Sequence, residues 1–201
     1  MGAAKAVIRH LPWRIVYGGY LFQEQVYRRV FGLRAMGELI YLGRASYRGP
    51  GRILSDDTRI NPGDPLGILH FDNLRLAAIE RQPGSPRHRA FVFLRLLRNS
   101  LAQLAKCIHS DPELKDLAGF RGVTWMPSRG RHLGFETEPL PPSLRARWLR
   151  LHFRLMLHAF YPEGALGRVG QPHIYWLTRR QLIHRHASGA IFEAHEEANV
   201  H

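Results

Sequence analysis

The strongest constraint in the sequence is a stripe of mostly aliphatic residues, Ala90, Leu94, Leu97, Leu101, Leu104 and Ile108, spaced alternately by four and three. At 3.6 residues per turn these side chains fall on one narrow face of an α-helix. Such a helix needs a flat apolar partner to bury that face. Between Gly37 and Leu69, Gly and Pro punctuate short apolar runs at Glu38 to Leu42, Arg52 to Leu54 and Pro65 to His70. That pattern reads as strands joined by turns. The leucine-rich helix is therefore expected to cover a sheet.

The remaining segments extend this plan. From Pro12 to Phe31, Ile15, Val16, Gly19, Tyr20, Phe22, Val26, Tyr27, Val30 and Phe31 recur at helical spacing beside Arg28 and Arg29. Burial is the commoner fate of such a stripe, and rest on a membrane surface is the alternative. Asn61-Pro62-Gly63-Asp64 is a turn in which Pro fixes φ and Gly supplies a positive φ. The next strand places Leu66, Ile68 and His70 on one face and Gly67, Leu69 and Phe71 on the other. Asp72 or Asn73 then caps a helix from near Leu74, ended by a loop from Gln82 to Arg87. After Ile108, Asp111 caps a short turn with Pro112 at its first position.

Gly122 to Met126 and His132 to Glu138 read as a hairpin around Pro127-Ser128-Arg129-Gly130. Pro141-Pro142-Ser143 opens a helix in which Leu144, Trp148, Leu151 and Leu155 share a face flanked by Arg145, Arg147, Arg150 and Arg154. His173 to Leu177 reads as a strand, and Arg179 to His186 as a short helix. The expected fold is α+β, a single domain over residues 1–186 with an antiparallel or mixed sheet packed by two to four amphipathic helices. Residues 187–201 lack a core pattern and are expected to form a mobile tail.

Composition narrows the class further. The chain is long enough for one core, and 45% apolar with 22% charged residues is not the balance of a disordered chain. A lone cysteine, Cys107, excludes an intramolecular disulfide framework and points to a cytoplasmic setting. Arg14 interrupts the N-terminal apolar stretch, so a cleaved signal is not expected, and no run suffices for a transmembrane segment. Ala6 stands where a myristoylation pattern requires Ser or Thr. A formal charge of +13 selects polyanions as partners without naming one: an anionic glycan, a lipid surface or a small-molecule anion. Only Lys5, Lys106 and Lys115 are lysines, and the arginines are dispersed, so nucleic acid ranks lower.

Motifs for chemistry are sparse. Twelve histidines invite a metal, but His152 and His158 lie roughly 120° apart on a helix, and His184 and His186 face nearly opposite sides. No HExxH, paired cysteines, phosphate loop or G-x-S-x-G occurs, so no metal or cofactor is implied. His70-Phe71-Asp72-Asn73 is the densest polar cluster at a strand end and the first site candidate. Its plainer reading is a helix cap beside a histidine bonded to nearby backbone. Arg179 and Arg180 adjoin a strand and are able to clamp an anion or simply face solvent. Cys107 reads as an inert helical thiol, and Trp125, Trp148 and Trp176 as core residues rather than sugar platforms.

Three segments together resemble a known family: Gly63-Asp64 with Leu69-His70-Phe71-Asp72-Asn73, Gly122-Val123-Thr124 with Leu133-Gly134-Phe135-Glu136, and Ile174-Tyr175-Trp176-Leu177-Thr178-Arg179. Their order is similar to that of the YkoP-like domain family, from about Pro12 to His186. His70 and Asn73 match its histidine-asparagine segment, and Thr124, Gly134 and Phe135 its central pair, whereas Asp72 replaces a more neutral residue. The resemblance implies a domain found alone or joined to polysaccharide deacetylases, hence an accessory or ligand-binding role in envelope polysaccharide or lipid metabolism, with no catalytic assignment. That role is expected to be cytoplasmic or peripheral to the membrane, with His70, Asn73, Thr124 and Arg179 lining one concavity. The alternative is a hydrolase or transferase with His70 as general base, Asp72 orienting it and Arg179 holding an anion. A third reading is binding to nucleic acid or another anionic surface.

Overall fold

A computed structural model describes residues 13–124, 130–160 and 171–187. Among these residues are five α-helices and eight strands: α1 (Trp13–Val30), β1 (Arg34–Met36), β2 (Ile40–Ser46), β3 (Arg52–Ile53), β4 (Arg59–Ile60), β5 (Pro65–Phe71), α2 (Asn73–Arg81), α3 (Pro86–Ser110), β6 (Gly119–Thr124), β7 (Glu136–Pro139), α4 (Leu144–Phe160), β8 (His173–Thr178) and α5 (Arg179–His186). Short 3-10 turns at Pro112–Leu114 and Arg131–Leu133 link them. The main sheet is mixed, in the order β1-β2-β5-β6-β8-β7, and β3 with β4 forms a separate small hairpin. Every neighbouring pair is antiparallel except β5 and β6, which run parallel. A parallel pair needs a long crossover, and α2 and α3 provide it.

Local chemistry explains most boundaries. Gly63 takes φ 97°, and the Asp64 amide closes the turn onto the Asn61 carbonyl while an Asp64 carboxylate oxygen accepts from the Asn61 amide at 2.6 Å. Asp72 caps α2 by accepting from the Arg75 amide at 2.9 Å. Ser85 caps α3 ahead of Pro86, and Asp111 caps the following 3-10 turn.

Helix α3 lies against the face of the sheet carrying Leu42, Leu69, Phe71 and Phe120. Leu97, Leu101, Leu104 and Ile108 join these residues and Leu182 of α5 in the largest core cluster. The buried side of α3 is broader than the expected stripe: it includes Val92, Leu96 and Ser100, whereas Ala90 is exposed and Leu94 only half-buried. Ser100 faces the sheet because its Oγ accepts from the Leu39 amide at 3.1 Å. Gly37 is required there, with φ 68° and no room for a Cβ beside the Ser100 backbone. Gly67 is likewise obligatory, since a Cβ would strike the Phe120 ring.

The opposite face carries Leu66, Ile68, Ile174 and Trp176, covered by Ala146 and Leu149 of α4. Helix α1 packs beside α4, with Tyr20 against Phe153 and Met156. The fold is thus α+β with helices on both faces of one mixed sheet.

Two expectations are corrected. The hairpin of residues 122–138 does not form, because β8 lies between β6 and β7 and pairs with both. Arg131–Leu133 is a 3-10 turn, and Gly134 at φ 91° redirects the chain away from β6 before β7 starts. Residues 125–129, the rest of the expected turn, lie outside the described residues. The face of α4 expected to be core is also the wrong one: Leu144 is 80% and Trp148 60% exposed, and Leu151 is exposed as well. Burial instead falls on Ala146, opposite that stripe on the helix wheel and packed against the sheet, and on Met156, which meets α1. Trp176 is buried as expected, and Trp125 lies outside the described residues. So do residues 188–201 of the expected tail.

Candidate functional site

The end of β5 brings a polar cluster together. Tyr41 of β2 pairs with His70 in register, so both project to the α1 side, and Asp72 and Asn73 follow directly. Across from them α1 presents Glu24, Tyr27 and Arg28. One Asp72 oxygen caps α2, while the other accepts from the Tyr41 hydroxyl at 3.2 Å and lies 3.3 Å from an Arg28 guanidinium nitrogen. Arg28 also binds Glu24 at 2.9 Å, donates to the Tyr41 hydroxyl at 2.6 Å, and sits 4.0 Å from that ring's centre. The Asn73 amide donates to the second Glu24 oxygen at 3.0 Å.

Most of these groups satisfy one another, although Arg28 Nε is buried without a hydrogen-bond partner. Burial works against the Arg28 charge, but the Glu24 hydrogen bond and the Asp72 and Glu24 carboxylates outweigh it and raise its pKa. Burial first, then the Asp72 carboxylate, pushes the Tyr41 hydroxyl up. The network is a polar dock that fastens α1 to the sheet through its inward residues.

His70 stands beside this network. Its Nε2 is 3.4 Å from the Tyr27 hydroxyl, and the two rings meet edge-on at 5.1 Å. Burial lowers its pKa to about 4, so the imidazole is neutral at pH 7. Asp72 gives its oxygens to Arg75, Tyr41 and Arg28, and the bond recorded for His70 goes to Tyr27. A base oriented by Asp72 is not the arrangement present.

Thr124 is buried and ends β6 at the same edge of the sheet where Phe71 ends β5. Arg179 lies at the other edge, following Thr178, the partner of Gly119. Its guanidinium donates to the carbonyls of Ile108 (2.9 Å), Leu114 (3.1 Å) and Lys115 (2.6 Å), tying the C-terminal end of α3 to α5. Arg180 pairs with Asp56, which also accepts from Thr178 Oγ1 at 2.6 Å. The structure therefore brings together His70, Asp72 and Asn73, places Thr124 at the same sheet edge, and separates Arg179 from them.

Surface hollows lie elsewhere. One of about 300 Å³ sits between α2 and α3, lined by Glu38, Arg75, His88 and Phe91 among others. Another of about 400 Å³ opens at the start of α4, lined by Ser143, Leu144, Arg147, Arg150 and Gln171 among others. None of His70, Asp72, Asn73, Thr124 and Arg179 lines either. Among the described residues no three His, Cys, Asp or Glu side chains gather as metal ligands, and no helix is long and apolar enough to cross a membrane.

A further feature escaped sequence reasoning in its placement. Helix α1 turns Glu24 and Arg28 inward and leaves Phe22 71% and Val30 70% exposed, with Val26 exposed between them. These three positions follow at i, i+4 and i+8 and form one outward stripe. On α4, Leu144, Trp148 and Leu151 form a second. The rings of Trp148, His152 and Tyr20 bridge the helices, with Trp148 stacked on His152 at 5.2 Å and Tyr20 at 5.3 Å from it. The Tyr20 hydroxyl donates to the His152 carbonyl at 2.8 Å. The periodicity was visible in sequence, but which face met the core depends on partners distant along the chain.

Comparison with curated proteins and with solved structures gives no match. The family model described as the YkoP domain matches residues 14–186, an interval that runs from the second residue of α1 to the end of α5. That match spans most of the chain, and the protein belongs to the YkoP domain family.

Proposed function

We propose that this domain is a non-catalytic accessory module that rests on an anionic lipid surface through α1 and α4, close to the cell envelope. The observation that carries the reading is the outward apolar stripe on each helix: Phe22, Val26 and Val30, and Leu144, Trp148 and Leu151. Exposed apolar stripes on adjacent helices mark an interaction face. Its charge selects the partner. No Asp or Glu occurs from Leu144 to Phe160, exposed Arg147 flanks the α4 stripe, and exposed Arg29 adjoins that of α1. The single acid of α1, Glu24, is turned inward against Arg28. A second copy would bring arginines against arginines, whereas acyl chains under negative headgroups suit both components. Trp148 is the kind of side chain that settles at a membrane–water boundary. The family's attachment to polysaccharide deacetylases agrees with work at the envelope.

The reading is tested by co-sedimentation with vesicles of phosphatidylcholine alone or with phosphatidylglycerol. Binding to the mixed vesicles, weakened by salt and lost in Phe22→Ser/Leu144→Ser at unchanged thermal midpoint, is expected. Equal binding by that variant, or a concentration-dependent dimer that the variant abolishes, overturns it.

A further inference from the structure

The hollow of about 400 Å³ at the start of α4 is continuous with the outward stripe, because Leu144 belongs to both. Among the described residues its wall includes two guanidinium groups, Arg147 and Arg150, and no carboxylate side chain. Arg150 Nε is buried without a hydrogen-bond partner, although a buried donor left unpaired is costly. The contrast is with the ion-paired arginines of the domain. Arg28, Arg34, Arg44, Arg52, Arg75 and Arg180 each face a carboxylate, while among the described residues neither Arg147 nor Arg150 forms an ion pair. Gln171 and Ser143 add polar groups to the rim, with Ser143 Oγ already accepting from the Ala146 amide at 3.1 Å.

A concave site with two guanidinium groups that form no ion pair among the described residues, one of them with an unmet donor, suits a tetrahedral oxyanion, whose several oxygens accept forked N–H pairs. The volume is within the range of small-molecule sites and exceeds what an isolated ion requires. One wall is the exposed Leu144, next on the helix face to Trp148, so the ligand that fits has a phosphate beside an apolar body. We propose that this hollow holds the phosphate and glycerol of an anionic phospholipid headgroup, with Arg147 and Arg150 on the phosphate oxygens and Leu144 and Trp148 directed to the acyl region. The proposal rests on the lipid-surface reading above and adds a headgroup site to it.

The test uses the full chain and phosphatidylglycerol vesicles, comparing Arg147→Gln/Arg150→Gln with Arg87→Gln/Arg98→Gln. The second pair removes equal charge from exposed positions of α3, across the sheet. A loss of tenfold or more for the first variant, with less than threefold for the second, is expected. Arg147→Gln alone, at an exposed position, should give part of the loss even if the double variant is less stable. Equal losses in both double variants leave the lipid-surface reading standing and overturn the headgroup site. No vesicle binding by the unsubstituted chain overturns the underlying reading instead. A second arm titrates inorganic phosphate and glycerol phosphate by calorimetry: tight binding of either in solution, without vesicle binding, points to a free metabolite and overturns the lipid assignment.

Discussion

Helix α3 buries Leu97, Leu101, Leu104 and Ile108 and turns Arg95, Arg98 and Asn99 to solvent, whereas α1 directs Glu24 and Arg28 inward and leaves Phe22, Val26 and Val30 outside. Both helices cover the same sheet. The α3 layer is held by apolar burial, while α1 is fastened by a polar network to Tyr41, Asp72 and Asn73. A helix fixed in this second way leaves its apolar face available, at the cost of exposing it. The stability of the domain and its binding should therefore reside in different layers and respond to different substitutions.

The largest expected effect is on the α3 side. Leu101→Ala should lower unfolding free energy by about 3 kcal/mol in urea titration, through lost burial and a cavity. A cost below about 1 kcal/mol would break the contrast between the layers. Next, Asp72→Ala removes the α2 cap and leaves Glu24 as the one carboxylate paired with Arg28 among the described residues, at an expected cost of about 2 kcal/mol by the same measurement. Asp72→Asn should recover part of it, because an amide oxygen still caps.

Acid comes third. Between the ordinary histidine value of 6.5 and about 4, the unfolded chain holds a proton on His70 that the folded chain does not, so stability falls as pH falls through that window. The contribution is roughly 1–2 kcal/mol after allowance for partial solvent access, and His70→Gln should flatten that part of the profile. Burial lowers the pKa of His152 and His186 as well, the latter despite its contact with the Leu133 carbonyl, so a residual slope of the same sign should persist. The smallest effect belongs to Phe22→Ser, within about 0.5 kcal/mol of the unsubstituted chain, as suits an outward position. A loss as large as that of Leu101→Ala would mean that the stripe is structural.

What was legible in the sequence was local. The turn at residues 61–64, the Asp72 cap, the two faces of β5 and the long leucine helix follow from interactions only a few residues apart. Strand β1 has three residues, too few to show a period. The order β6-β8-β7 depends on a strand arriving more than thirty residues after β7 begins, so two adjacent extended runs looked like a hairpin. On α4, both the stripe of Leu144, Trp148 and Leu151 and the opposite one of Ala146, Leu149 and Phe153 are apolar, and spacing alone does not rank them. The same limit applied to the polar cluster. Its core, His70 to Asn73, stands out as a run, but Glu24, Arg28 and Tyr41 join it from distant segments, and neither the charge of Arg179 nor its place in the family segment reveals that it binds backbone carbonyls at the far end of the sheet.

The place of β8 in the sheet also orders events during synthesis. Until residues 173–178 leave the ribosome, β6 and β7 each present an unpaired edge, and β7 has no neighbour at all. A nascent chain halted at Pro172 thus holds α3 and most of its leucines but lacks the strand that seals the sheet, and ending the chain there should yield aggregation rather than a smaller domain.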